Sequence, residues 1–215
     1  MKTIAVILSG CGVYDGAEIH EATLSLYFLA KNGYSYKIFA PDIDQHHVVN
    51  HITGEEMDEK RNVLVESARI ARGAISPLSE FVAADFDGLL FPGGFGAAKN
   101  LSDWAFNGPE GTVNQEVSDA INCMVGLGRP VGALCISPVL LAKVLGDVEL
   151  TIGNDPGTAA GVEALGATHV NTTHGEIIID KKHKVISTPC YMLDATIEQI
   201  GTGAENVVRA MIDMM

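Results

Sequence analysis

Val131-Gly-Ala-Leu-Cys-Ile-Ser-Pro-Val-Leu-Leu-Ala-Lys-Val-Leu145 joins a short β-like run to a helical one through a single cysteine. Small residues stand two before and two after that sulfur, in Ala133-Leu-Cys-Ile-Ser137. The spacing has a steric cause. A sharp strand-to-helix turn holds its central residue in a strained backbone conformation, and bulky neighbours would collide with the adjoining strands. Ser137 is placed to cap the next helix, and Pro138 suits its first position. The stretch therefore predicts a nucleophile elbow in an α/β fold.

A thiol at a helix N-terminus meets unpaired backbone N–H groups and the positive end of the helix dipole, which favour thiolate over thiol. Cys135 is accordingly expected to be unusually acidic. The competing reading is a buried cysteine acting as a small apolar filler, and the elbow pattern tips the balance to the nucleophile.

Working outward, the chain alternates strand and helix. Residues 2–8 read as a buried first strand followed by the glycine turn Ser9-Gly-Cys-Gly12. A helix follows, with Asp15 as its cap, Glu18 answering three residues on, and Ile19, Ala22, Leu26 and Leu29 at helical spacing. A second strand is predicted at 34–40, a short strand at 47–52 and a helix at 62–72, with 43–82 as a decoration on the core. Residues 87–91 form another buried strand, broken sharply by Pro92-Gly-Gly-Phe-Gly96. A helix at 112–127 turns Val113, Val117, Ile121, Met124 and Val125 inward. After the elbow come a short strand from 149, a helix at 158–165, a strand at 169–170, a hairpin at 176–187 and a last helix at 194–214. Such alternation implies a largely parallel, flavodoxin-like sheet with helices on both faces and right-handed crossovers.

The 215 residues suit one domain spanning 1–215. A formal net charge of −13 argues against nucleic acid or an anionic membrane as partner, because phosphate recognition needs concentrated Lys and Arg. No apolar run reaches transmembrane length, and the apolar part of MKTIAVILSG is short for a signal peptide with its cleavage site. Cytoplasmic residence is the expectation. Cys11, Cys123, Cys135 and Cys190 are scattered, which fits neither a disulfide framework nor a structural zinc site. Cys11 and Cys190 follow predicted strands and read as small fillers before resolving thiols. His46, His47 and His51 read as a surface segment before a metal site. Gly10-Cys-Gly12 lacks the dinucleotide spacing, and Asp15, Glu18 and Glu21 would repel a pyrophosphate there. No metal and no cofactor is expected.

The runs LLFPGGFGAAKNLS (89–102) and GALCISPVLLA (132–142), with VILSGCGVYDGAEIHEA (6–22) near the start, resemble the DJ-1/PfpI superfamily, whose members share a class I glutamine amidotransferase-like fold. The fuller set, including NHITGE, RNVLVESARI and LTIGNDPGTA, is similar to its ElbB-type branch, associated with isoprenoid biosynthesis and glyoxalase-like activity. The resemblance covers nearly the whole chain. It implies that a glutamate of the first helix, Glu21 in Gly16-Ala-Glu-Ile-His-Glu21, hydrogen-bonds Cys135, and that Gly93, Gly94 and Ile136 offer N–H groups to an oxyanion. A carboxylate beside a thiolate is unfavourable, so the pair should share a proton. Many superfamily members carry a histidine shortly after the elbow helix. Here Leu150-Thr-Ile-Gly-Asn-Asp-Pro156 offers Asn154 and Asp155 instead, which weakens a Cys-His protease or amidotransferase reading; His174 stays open as a substitute. The resemblance implies a cofactor-independent glyoxalase acting on small 2-oxoaldehydes through Cys135 and Glu21, and a homodimer. A non-catalytic stress sensor and a deglycase remain the alternatives.

Overall fold

The computed structural model describes residues 2–215. Its centre is a seven-stranded sheet of order β3-β2-β1-β4-β5-β9-β8. The strands are β1 (Thr3–Ile7), β2 (Ser35–Ala40), β3 (Ile75–Pro77), β4 (Gly88–Phe91), β5 (Val131–Leu134), β8 (Ile178–Asp180) and β9 (Val185–Thr188). All pair in parallel except β8, which returns antiparallel to β9 at one edge. This is the mostly parallel α/β sandwich that the alternation predicts.

Strands buried on both faces read as continuous apolar runs, and β1 does so for that reason. Ile4 and Val6 join Leu90, Leu134 and Ile186 under α1 (Ile19–Lys31) and α8 (Ile197–Asp213). Ala5 and Ile7 turn the other way, joining Phe39, Leu89, Phe91 and Val131 under α5 (Gln115–Gly126) and α6 (Pro138–Leu145). In α8 the inward positions Ile200, Ala204, Val207, Val208 and Met211 recur every three or four residues. Its first turn is closed by a reciprocal box, in which Gln199 N–H donates to the Thr196 hydroxyl and Thr196 N–H to the Gln199 side chain.

Several expectations are corrected. Residues 75–77 are not decoration, because β3 extends the main sheet beyond β2. The helix α2 (Val63–Ala71) feeding it is capped by the Asn62 side chain. The strand expected at 47–52 is a loop held by one bridge, Val49 to Glu56. Strands β6 (Glu149–Leu150) and β7 (Thr168–His169) pair only with each other. Side chains anchor that small pair instead: the Asp180 carboxylate accepts from Glu149 N–H and Ser187 Oγ from Thr151 N–H. Between them runs α7 (Pro156–Ala164), and α3 (Phe95–Lys99) and the short α4 (Trp104–Asn107) follow β4.

The small residues before the elbow cysteine answer to a helix as well as to strands. A methyl group on Gly132 would lie 2.6 Å from Met211 Sδ, 2.7 Å from Leu90 Cδ1 and 2.9 Å from Val207 Cγ1. Helix α8 thus rests directly on the β5 backbone. Gly132→Ala is expected to lower stability by about 1–3 kcal/mol through overpacking, read as a reduced urea midpoint with an unchanged slope.

Candidate active site

Parallel strands end at one edge, and ligands of such sheets bind beyond the carboxyl ends, where the strand order reverses. Here the reversal falls between β1 and β4, flanked by β2 and β5. Cys135 follows β5 immediately, with φ of 60°, the left-handed backbone that a nucleophile elbow imposes. Its N–H donates to Thr188 O of the neighbouring strand at 2.9 Å, which fixes the bend. Pro138 opens α6 as expected. Ser137 does not cap that helix, since its hydroxyl donates to Pro92 O at 2.7 Å and ties the elbow to the loop after β4.

That loop is in turn clamped to the one after β1. Glu18 N–H donates to Gly93 O at 2.9 Å, Phe95 N–H to Val13 O at 2.7 Å, and Gly96 N–H to Gly16 O at 2.9 Å. Asn100 donates to both Ser9 O and Asp15 O. The glycine turn closes on itself through Gly12 N–H to Ala17 O, so α1 begins only at Ile19. Asp15 is therefore not its cap. The Asp15 carboxylate is buried and accepts from Val49 N–H, while the Glu18 side chain caps α1 by accepting from Glu21 N–H at 2.7 Å. The later start puts Glu21 in the first turn of the helix, facing the sheet edge.

Glu21 is fully buried and hydrogen-bonded to the Cys135 thiol. Its two carboxyl oxygens also accept from Gly93 N–H at 2.9 Å and Tyr191 N–H at 3.3 Å. Burial, and then the Glu18 carboxylate, push its pKa up to about 8 against the opposing pull of those N–H groups. A methyl group on Gly93 would overlap Cys135 Cβ and crowd the Glu21 carboxyl, so the acid and the thiol meet only because that residue is glycine.

The thiol itself departs from expectation. Cys135 is 6% exposed, and burial, followed by the Glu21 carboxylate, drives its pKa up. The N–H groups of Gly94 and Ile136 bond the sulfur and pull the other way without prevailing. An unusually acidic thiol is thus not what this pocket makes in isolation, because desolvation outweighs two N–H dipoles. Two buried acids in contact titrate as a unit. Once Glu21 holds a proton the repulsion on the sulfur disappears, and the carboxyl O–H becomes a donor to it.

Cys135 opens on a cleft of about 460 Å³ lined by Gly94, Phe95, Trp104, Asp155, Tyr191 and Met192 among others. Of the residues anticipated from sequence, Glu21, Cys135, Gly94 and Ile136 lie together, with the Gly94 and Ile136 N–H groups directed at the sulfur. Gly93 is adjacent, but its N–H is committed to Glu21 and is not free for an oxyanion. Asp155 lines the cleft while capping α7 through Thr158 N–H. Asn154 is exposed and is not among the lining residues, because the loop turns it outward. His174 bonds Asp194 O and lines a different groove, between β8 and α8, so it does not replace the family histidine. Among the described residues no histidine lines the cleft, and no group of three or more His, Cys, Asp or Glu could hold a metal ion.

No protein-family model matches the chain. It is 45% identical over 221 residues to the human glutamine amidotransferase-like class 1 domain-containing protein 3, mitochondrial, covering 98% of this chain and 82% of that protein. It is equally identical to the rat ES1 protein homolog, mitochondrial, covering 83% of it. The chain belongs to the ES1 family of glutamine amidotransferase-like class 1 domain proteins. A crystal structure of an isoprenoid biosynthesis protein with amidotransferase-like domain from Ehrlichia chaffeensis superposes on it with a TM-score of 0.93 at 34% identity, covering 100% of this chain and 99% of that one. Drosophila melanogaster DJ-1beta, 17% identical, gives a TM-score of 0.56 over 99% and 95% of the two chains, a likeness of fold.

The cytoplasmic expectation for this ES1-family chain is overturned by those relatives, which from human, rat and zebrafish alike are named mitochondrial. A short apolar amino-terminal run bears on secretion alone; organelle addresses have a different composition. Three residues of the site had also escaped notice. Tyr191 lines the cleft and its hydroxyl bonds His20 Nδ1 at 2.8 Å. His20 neighbours Glu21 in Glu18-Ile-His-Glu21, which was a signal available in the sequence. Trp104, the single tryptophan, gave none.

The raised Glu21 pKa has a spectroscopic consequence. A protonated carboxyl band should persist in the infrared spectrum at pH 7, disappear with a midpoint near 8, and be missing in Glu21→Gln.

Proposed function

We propose that this chain is a cofactor-independent, glyoxalase III-like lyase that converts 2-oxoaldehydes to 2-hydroxy acids. What supports the reading is one observation: a left-handed elbow cysteine and a buried, up-shifted glutamic acid hydrogen-bonded to each other at the floor of a cleft. A nucleophile and a general acid–base in contact are the two groups that this isomerisation needs.

The reactive form carries one proton on the pair. Glu21 takes the thiol proton as the sulfur adds to the aldehyde carbon and passes it to the oxygen, leaving a hemithioacetal and a carboxylate. Gly94 and Ile136 N–H, which converge on the sulfur, are the donors that would turn to the developing oxyanion beside it. Glu21 then removes the hydrogen of the former aldehyde carbon as a proton to give an enediolate and returns it to the neighbouring carbon, while the hydroxyl proton shifts from the first oxygen to the second, yielding a thioester of the 2-hydroxy acid. Water hydrolyses the thioester, restoring the one-proton pair and releasing the 2-hydroxy acid as its carboxylate, with one proton passing to solvent. The net change is addition of one water, with oxidation at one carbon balanced by reduction at the next.

A peroxide-sensing role fits the same cysteine less well, since sensor thiols are accessible and acidic whereas this one is buried and shifted upward.

Cys135→Ser should abolish glycolate formation from glyoxal while retaining the wild-type circular dichroism; turnover at the wild-type rate would end the proposal. The pH profile carries its own sign. Glu21 is raised from 4.5 to about 8, so below that value the pair holds one proton too many. Single-turnover rates should climb about tenfold per pH unit toward 8 and then level, and the limb should vanish in Glu21→Gln.

A further inference from the structure

We propose that the cleft is built for carbonyl compounds bearing an uncharged aryl group, so that aryl-substituted 2-oxoaldehydes are preferred to glyoxal and to carboxylated analogues. The reactive-aldehyde part of this rests on the reading under Proposed function, while the selection by shape and charge rests on the walls of the cleft.

Size comes first. A water molecule takes about 30 Å³ of liquid, and glyoxal is only a few times larger, whereas the cleft offers about 460 Å³. The walls are apolar and aromatic, with Val13, Phe95, Trp104, Ile136, Tyr191 and Met192 around the sulfur. Phe95 leaves 48% of its surface exposed, an area that a flat ring would cover. Aromatic pairs contribute beyond their buried area when offset or edge-on.

The Trp104 wall is held in position by a missing side chain. A methyl group on Gly161 of α7 would lie 3.0 Å from Trp104 Cζ2 and 3.1 Å from Cη2. The indole therefore rests against the bare helix backbone, and the depth of the cleft depends on that notch.

Charge comes second. No lysine, arginine or histidine is among the lining residues, and the one carboxylic acid is Asp155. The Thr158 N–H holds the Asp155 carboxyl below its usual range, so it is an anion at neutral pH. Lys99 stands behind the wall rather than among the lining residues, its ammonium donating to Tyr14 O and lying 5.5 Å over the Phe95 ring. An incoming carboxylate thus meets a like charge with no cation among the lining residues to receive it.

The single tryptophan makes the cleft its own reporter. Indole fluorescence of Cys135→Ser would be titrated with mandelamide, with glycolamide as the small neutral probe and mandelate as the aryl anion. Mandelamide should bind at least about tenfold more tightly than either, the scale of one well-packed aromatic contact. Asp155→Asn keeps the α7 cap and should narrow the mandelate gap. Gly161→Ala, a favourable change for helix propensity, should move the indole emission and weaken mandelamide selectively. Equal affinities for mandelamide and glycolamide, or a ratio untouched by Gly161→Ala, would overturn the proposal. Wild-type kcat/KM should then favour phenylglyoxal over glyoxal; the opposite order would also overturn it. Selective binding without turnover of either aldehyde would sustain the cleft's selectivity and remove the glyoxalase reading alone.

Discussion

A carboxyl and a thiol buried against each other cannot both ionise, and the architecture around them manages that conflict. Burial penalises each charge separately, and contact penalises the two together. The result is a pair that keeps protons near neutrality, with Glu21 shifted to about 8. Sharing one proton is the arrangement in which each group assists the other, as donor to the sulfur and as acceptor from it. The close approach at Gly93, the delayed start of α1 and the kink at Cys135 all serve to bring these atoms within reach.

The sheet explains why four separate segments converge there. Strands β1, β4, β5 and β9 are parallel and end at the same edge, so the residues after them, Glu21, Gly93, Cys135 and Tyr191, share one surface. The first two loops are then fastened by backbone hydrogen bonds from Phe95 to Val13 and from Gly96 to Gly16. With the loops joined in this way, the cleft floor is set by main-chain geometry, whereas its walls come from the less regular segments 95–105 and 155–158.

That division matches what could be read in advance. The elbow was legible because small residues at minus two and plus two, with Pro138 beyond, leave few backbone alternatives. The buried strands were legible because both their faces are apolar. Glu21 was known only through resemblance, since nothing in helical periodicity distinguishes it from a solvated glutamate. Asp15 was misassigned because Asp15 with Glu18 imitates a capping box; only the turn closed by Gly12 and Ala17 shows that the helix starts later. Ser137 was misassigned for a related reason, as its preferred partner, Pro92 O, is distant in sequence. The acidity of Cys135 was misjudged because a local pattern records the helix dipole but not the desolvation. Trp104 and Tyr191 were missed because they lie outside the periodic segments, where position is decided by tertiary packing. The notch at Gly161 illustrates the same limit, being an absence that acquires meaning only when the indole lies against it.

One feature of the reactive pair reaches beyond chemistry. Glu21 is held by the N–H groups of Gly93 and Tyr191, and the sulfur by those of Gly94 and Ile136, so every anchor other than their mutual bond belongs to the main chain. Side chains at Tyr191 and Ile136 can drift over generations without releasing the grip, because a peptide group is present whatever residue carries it. The reactive centre can thus be inherited unchanged while the surrounding lining is retailored, a separation that lets descendants diverge in what they recognise before they diverge in how they react.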